Sequence, residues 1–363
     1  MRNKNIKDNK LLNYIKVLFT LIIVFIICFF ATSFIFNIQK EEDLKASETH
    51  VEKYGKQGLP VGIELQQVPD KIDENYIYFS DRILKKFKYN KDANNYTTES
   101  IKGVMNSIPD SISKHVILIP SKITYESSVL EHSDNSLNSI NEIYEQLPAN
   151  VNKIDANAVL KNHVGDYIFL RTDSDITSLG AYYISKEFCE KKGLEAVDIS
   201  TYKEYKFEGF PGVYTLLENS SITDKEFDYV SYYLRDGASN WETVTARQKD
   251  ESYKTFETPA IALSRRGMDI FVAGEYSHSI LKGDGGNGKT LLLVGDSSAK
   301  KLAVWMTPYY DNVYLVGTKR YQGDKEGFQQ IFRDYNVSDV ILTEEADNFG
   351  ETVYNQKIKK ITP

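Results

Sequence analysis

Ser297 closes a Gly295-Asp296-Ser297 triplet that directly follows the apolar run Leu291-Leu292-Leu293-Val294 and leads into a helical stretch, Ser298 to Met306. A serine at the end of a buried strand and the head of a helix is set up to attack an ester carbonyl. The strand lifts the hydroxyl into a crevice, and the helix N-terminus offers backbone N–H donors to a developing oxyanion. Such a serine also needs a base to take its proton and a third group to orient that base. A second segment raises the signal of the triplet: Arg171-Thr172-Asp173-Ser174-Asp175-Ile176-Thr177-Ser178-Leu179-Gly180-Ala181-Tyr182-Tyr183.

Together these segments resemble the bacterial DHHW proteins, a family similar to the alginate-acetylation proteins AlgX and AlgJ and built on SGNH-type (GDSL-like) acyltransferase or esterase domains. In that family a Thr-Asp-His-His-Trp-Thr segment runs into Ser-Leu-Gly-Ala-Tyr-Tyr, and the serine follows later in Gly-Asp-Ser. The resemblance spans roughly residues 75 to 350. It includes the His115–Pro120 strand, Ile154-Asp155, residues 172–183, Phe271 to Gly274, the Leu291–Ser297 block and Lys319-Arg320-Tyr321. It implies Asp173 as the orienting acid and Ser297 as the nucleophile. It also exposes a departure: the two family histidines are Ser174 and Asp175 here, and the tryptophan is Ile176. The base position is therefore the carboxylate Asp175. The family's Gly-Asn, an oxyanion-side element, is Gly274-Glu275 here and borders the crevice with Gly295 and Asp296. Both changes put negative charge where a neutral base and an oxyanion donor are wanted.

Three readings follow. In the first, the domain is catalytically degenerate and keeps the fold and ligand binding. In the second, an active serine O-acetyltransferase or acetylesterase uses Ser297 with a substitute base, either His278 or His163. In the third, Asp173, Asp175 and Asp296 hold a hard cation through oxygen ligands, although their spacing matches no recognised loop. Lys319, Arg320 and Tyr321 follow the strand Val313–Val316, where a parallel sheet opens its ligand crevice. The two cations can meet a sugar carboxylate or phosphate there, or form a solvated loop pair. No cofactor is implied.

The elements that must position these residues alternate between strand and helix. His115–Ile119, Val151–Ile154, Tyr167–Leu170, Leu291–Val294, Val313–Val316 and Val340–Leu342 read as strands. Leu137, Ile140, Ile143, Tyr144 and Leu147, then Ala181, Ile184 and Phe188, then Phe328, Ile331, Phe332 and Tyr335, have helical spacing. Alternation of this kind predicts a parallel sheet covered on both faces, here a three-layer α/β/α SGNH-like domain over residues 76–350. Residues 196–282, rich in Tyr, Phe, Thr and Val with turn signals at Gly209 to Gly212 and Asp236-Gly237, predict an inserted antiparallel β region near the mouth of the sheet. Residues 351–363 form a C-terminal tail.

Gly283-Asp284-Gly285-Gly286-Asn287-Gly288-Lys289-Thr290 fits the nucleotide-binding P-loop letter for letter. That loop needs a helix after it, so that the helix N-terminus faces the phosphates. Leu291–Val294 reads as a strand instead, which leaves a P-loop NTPase as a remote alternative.

The chain has 363 residues and a net charge of −7. Residues 1–16 carry Arg2, Lys4, Lys7, Lys10 and Lys16 against Asp8, so the remainder is more acidic still. An acidic body argues against nucleic acid and anionic lipid as partners. Val17 to Ile38 is uncharged and long enough to cross a bilayer core of ~30 Å. The flanking charges put residues 1–16 in the cytoplasm. The run continues through Phe34, Ile35 and Phe36, which exceeds a cleaved signal peptide. Residues 39–75 read as a stalk, and the body as extracytoplasmic. Cys189 has no partner cysteine outside the membrane segment and reads as a buried small hydrophobe. The resemblance implies cell-surface or secreted polysaccharide as partner, beside a membrane-bound O-acyltransferase.

Overall fold

The computed structural model describes residues 56–59, 64–223, 227–235, 243–247, 255–262, 265–274, 276–321 and 324–351, with backbone alone for residues 56, 235, 243–247 and 255–259. The membrane segment 17–38, most of the stalk, Glu275 and the tail beyond 351 lie outside the described residues. Among the described residues no helix is long and apolar enough to cross a membrane.

An antiparallel meander comes first: β1 (Lys71–Ile72), β2 (Tyr76–Tyr78) and β3 (Ile83–Lys85). Its pairing reaches back to Lys71, inside the stretch read as stalk. Helix α1 (Lys91–Ser107), strand β4 (Ser113–Ile119), helix α2 (Ser136–Gln146), strand β5 (Val151–Asp155), helix α3 (Ala156–Leu160) and helix α4 (Ser178–Lys192) follow. A β-rich stretch holds β6 (Tyr202–Phe210), β7 (Asp228–Arg235), β8 (Thr243–Arg247), β9 (Thr255–Pro259) and β10 (His278–Lys282). Strand β11 (Thr290–Gly295), helix α5 (Ser297–Met306), strand β12 (Asn312–Gly317), helix α6 (Lys325–Asp334) and strand β13 (Val337–Glu345) complete the fold.

The main sheet runs β5-β4-β13-β11-β12-β10-β8-β9. The first five strands are parallel, and β10, β8 and β9 join antiparallel at the β12 edge. β11 is buried at every residue, as expected of a strand covered on both faces. On one face Leu292, Val294, Val340 and Leu342 meet Ile101, Met105, Ile140, Ile143, Phe328 and Ile331 from α1, α2 and α6. On the other, α5 packs against β11, β12, β13 and α4. The helices start where short polar side chains can accept from an orphan backbone N–H: Asn90 for α1, Asn135 for α2, Thr177 for α4, Asp296 for α5 and Asp324 for α6.

Two expectations change, and the rejection of the P-loop stands. Tyr167–Leu170 is no sheet strand. It folds back on itself through the Phe169–Ile176 bridge, with the Leu170 N–H donating to the Asp175 carbonyl (3.0 Å) and the Thr177 hydroxyl to the Tyr167 carbonyl (2.6 Å). Within 196–282, β6 and β7 form a separate ribbon, whereas β8–β10 extend the main sheet. The P-loop-like segment is a turn into β11, not into a helix. Its Asn287 and Gly288 N–H groups both donate to the Asp311 carboxylate at 2.9 Å, so an internal anion takes donors that would face a phosphate. The NTPase alternative falls on both counts.

Candidate functional site

Gly295 ends β11, Asp296 caps α5, and Ser297 is the first residue of that helix. The turn demands glycine: a Cβ on Gly295 would lie 2.5 Å from Thr343 Cγ2 and 2.8 Å from Ala299 Cβ. Asp296 does not face the crevice as an acid. One carboxylate oxygen accepts from the Ser298 N–H (3.1 Å) and the Ser298 hydroxyl; the other accepts from the Glu345 N–H (2.9 Å) and the Asn348 amide (2.8 Å). Asp296 therefore ties the helix head to the end of β13, and burial raises its pKa.

The Ser297 hydroxyl donates to Asp175 Oδ1 at 2.6 Å. The back-folded Leu170–Thr177 segment brings Asp175 there, on the 122-residue separation that the family resemblance implies. The other carboxylate oxygen accepts from the Lys301 ammonium at 3.2 Å; the Lys301 side chain is buried, 1% exposed, and Asp175 is mostly buried, 13% exposed. Lys301 lies four residues after Ser297 on α5, so one helix face presents both groups to Asp175. Burial alone would push the Asp175 carboxyl up. The Lys301 charge and the Ser297 hydroxyl outweigh it and hold the carboxyl below its ordinary value. Asp173 makes no orienting bond to this base. Its oxygens accept from the N–H groups of Ser174 (2.7 Å) and Val213 (3.2 Å), and burial, then the Asp175 charge, push its carboxyl up.

Glu345 lies behind the pair, with Oε1 at 3.4 Å from the Ile176 N–H. Burial, then Asp175 and Asp296, raise its pKa well above the ordinary value. Sequence reasoning missed both Lys301 and Glu345. The available signal was a Lys300-Lys301 pair inside the otherwise apolar stretch Ala299 to Met306.

A crevice opens beside Ser297, lined by Gly274, Tyr276, Ser279, Gly295, Asp296, Lys300, Leu315, Gly317, Lys319 and Arg320. It holds about 30 Å³ of free space. That is room for about two waters. Val272 and Ala273 lead into its wall with φ near +58°, and Gly274 follows at +128°. A β-branched residue in the left-handed region is a strained arrangement of the kind that collects at functional sites.

Other expected residues fall elsewhere. Tyr321 is 4% exposed and packs in the core with Phe328 and Val316 rather than in the crevice. His278 cannot be a substitute base. Ser279 and Leu315 pair across the strands and line the crevice, so His278 points to the opposite face and stacks on Tyr314. His163 pairs with Asp166 at 3.0 Å and stacks on Tyr183 at 3.5 Å. The three-acid cation site does not assemble, because Asp296 turns to β13 while Lys301 occupies the charge partner's place at Asp175. Among the described residues no group of three or more His, Cys, Asp or Glu side chains converges for a metal.

A serine, a carboxylate and a buried ammonium thus meet where a serine, a histidine and an acid would act. The DHHW protein profile matches residues 61–316, most of the chain. The chain belongs to the DHHW family. No curated protein sequence matches it. The DHHW family protein of Eubacterium siraeum DSM 15702 superposes with a TM-score of 0.67 at 22% identity, covering 80% of this chain and 97% of that one. Bacillus cereus PatB1 superposes with a TM-score of 0.63, both with a sulfonyl adduct (13% identity, 79% and 99% covered) and in a second structure (15% identity, 77% and 98%). These likenesses establish the fold: a mixed α/β domain with a parallel-rich sheet, shared with these neighbours. As a DHHW protein, the chain departs from the motif that names its family: it reads Asp173-Ser174-Asp175-Ile176.

Proposed function

We propose that this protein is a membrane-anchored, extracytoplasmic SGNH-like component of cell-surface or exopolysaccharide O-acetylation, catalytically silent, that binds or scaffolds beside a membrane-bound O-acyltransferase. Residues 17–38 serve as the anchor. The observation that carries the silent reading is the Asp175–Lys301 ion pair at the base position. A general base works best with a pKa near the operating pH. A carboxylate held below its ordinary value accepts the serine proton poorly, and losing a general base costs about 10²–10⁴ in rate. The small crevice beside Ser297, with Lys300, Lys319 and Arg320 in its wall, is where an ester substituent would sit.

The 2.6 Å contact supports a second reading, an active O-acetyltransferase or acetylesterase with Asp175 itself as the base. In that case Ser297 Oγ attacks the acetyl carbonyl, its proton passes to Asp175 and then to the departing sugar oxygen, and the acetyl group stays on Ser297. Phenylmethanesulfonyl fluoride separates the two. The full-length chain is expected to gain no mass on treatment and to hydrolyse acetyl esters no faster than its Ser297→Ala variant. A sulfonyl adduct on Ser297, or turnover lost in Ser297→Ala, overturns the silent reading.

A further inference from the structure

The segment that carries Asp173 and Asp175 also walls a second cavity, with about 200 Å³ of free space, that shares no lining residue with the Ser297 crevice. Its other walls include residues 122–128, which follow β4 at the carboxyl end of the sheet, the rim where parallel sheets take ligands.

Every charge on its lining is already answered within the protein. Arg82 holds Glu126 through two contacts (3.0 and 3.1 Å) and Asp81 at 2.8 Å. Arg171 stands 3.3 Å from Asp228. The Asp166 carboxylate accepts from Tyr183 at 3.0 Å and meets the His163 ring at the same distance. Lys122 is buried and donates to the carbonyls of Leu170 (2.7 Å) and Arg171 (3.0 Å). An ionic ligand would have to compete with these pairs.

What remains for a ligand is uncharged. The Tyr125 and Phe169 rings lie 5.7 Å apart at 32°. The Tyr125 hydroxyl is buried and has no hydrogen-bond partner among the described residues, so it is the ring of Tyr125 that meets a ligand here. Ser127 and Ser128 are exposed at the mouth, and the Gln67 amide donates to Leu65 while its oxygen stays available. A pyranose offers a flat C–H face to an aromatic ring and a rim of hydroxyls that both donate and accept. Serine hydroxyls and glutamine amides answer both roles.

The geometry points to a subsite for one uncharged sugar residue of a glycan chain in this cavity. The inference rests on the reading of the protein as a polysaccharide partner, and it gives that reading a second site. Lys122 braces the backbone that leads from the cavity wall toward Asp173.

The test is calorimetric titration of the full-length chain in detergent with uncharged tetrasaccharides (chito-, cello-, malto- and laminari-), and with tetragalacturonate as the anionic probe. At least one uncharged probe is expected to bind with Kd of about 1 mM or tighter. Ser128→Trp, which fills the mouth from an exposed position, and Tyr125→Ala are expected to weaken binding by about tenfold or more. Lys102→Ala, on the outer face of α1, is expected to bind as the native chain does. Three results overturn the subsite: no uncharged probe binds, Ser128→Trp leaves the affinity unchanged, or tetragalacturonate is the tightest ligand. None of these bears on sulfonyl labelling of Ser297, so failure of the subsite and failure of the silent reading are separate outcomes.

Discussion

Lys301 and Asp175 form a buried ion pair, Nζ to Oδ2 at 3.2 Å, one helical turn from the serine that the same carboxylate accepts from. The pair explains how an aspartate is tolerated at a position the family gives to histidine. An isolated buried carboxylate beside Asp173 and Glu345 would neutralise instead of staying charged. The ammonium helps to keep it ionised and holds its carboxyl below the ordinary value.

Asp175→His writes the family base back into the chain and is expected to fail alone. It strips the counter-charge from Lys301, which is 1% exposed, and breaking a buried pair from one side costs about 3–5 kcal/mol. Adding Lys301→Met removes the stranded charge and keeps most of the volume. The single variant is expected to melt far below the native chain and take no sulfonyl label. The double variant is expected to recover its midpoint in urea and to become labelled at Ser297. A single variant as stable as the native chain would show that the pair is not what holds Lys301.

The pair also sets an acid limb of stability. The folded Asp175 carboxyl titrates below its ordinary value of 3.8, because Lys301 and the Ser297 hydroxyl outweigh burial. A carboxyl lowered by folding contributes stability that is present above the unfolded value and is lost as pH falls through the folded one. Urea midpoints measured downward from pH 5 are expected to drop once pH passes below 3.8. Asp175→Asn should remove that part of the slope. An unchanged acid slope in Asp175→Asn would assign it to other carboxylates.

Glu344 predicts the opposite slope. It lies one residue before Glu345 on β13, points to the other face, and is fully buried with neither carboxyl oxygen hydrogen-bonded among the described residues. Burial, then the charges of Asp296 and Glu351, raise its pKa well above the ordinary 4.5. The folded chain therefore keeps a proton that the unfolded chain gives up. Stability from this group is complete below 4.5 and declines as pH rises above it. Glu344→Met removes the unsatisfied carboxyl at similar volume and is expected to stabilise the chain by about 1–3 kcal/mol near neutral pH, with less gain in acid. Urea unfolding at several pH values measures both. A loss of stability at pH 7 would mean that the carboxyl is paired.

The strand-and-helix frame was legible because its signals are local. The continuous apolar runs at Leu291–Val294 and Val340–Leu342 and the spacing of Phe328, Ile331 and Phe332 each point to one period. The Ser297–Asp175 contact was legible for another reason: two separated segments, 172–183 and 295–297, resemble one family. The ion-pair partner of Asp175 was not legible. Lys301 sits on a helix whose neighbours are apolar, and only the tertiary placement of Asp175 gives it a role. His278 misled because one residue of register decides which face of a strand a side chain takes, and sequence does not fix that register. Tyr321 misled because its two cationic neighbours, Lys319 and Arg320, do line the crevice while its own ring turns into the core.

Gly295 links the fold to the site, and its substitution makes the last prediction. Its Cβ would meet Thr343 Cγ2 at 2.5 Å, and the Ala299 Cβ and Thr343 carbonyl oxygen both at 2.8 Å. Two of these are backbone or a rigid first side-chain atom, so they cannot swing away. Gly295→Ala must therefore push the head of α5 from the end of β13, at a cost of about 1–3 kcal/mol. The displacement acts directly on Ser297, two residues on, and lengthens its contact with Asp175. Thr343→Ser deletes the offending methyl but leaves the carbonyl and Ala299 in place. Paired with Gly295→Ala it is expected to return only part of the lost stability. Denaturation of the two single variants and the double measures the coupling between these residues. Full recovery in the double would reduce the requirement for glycine to the Thr343 methyl, and no recovery would place it in the backbone approach of β13.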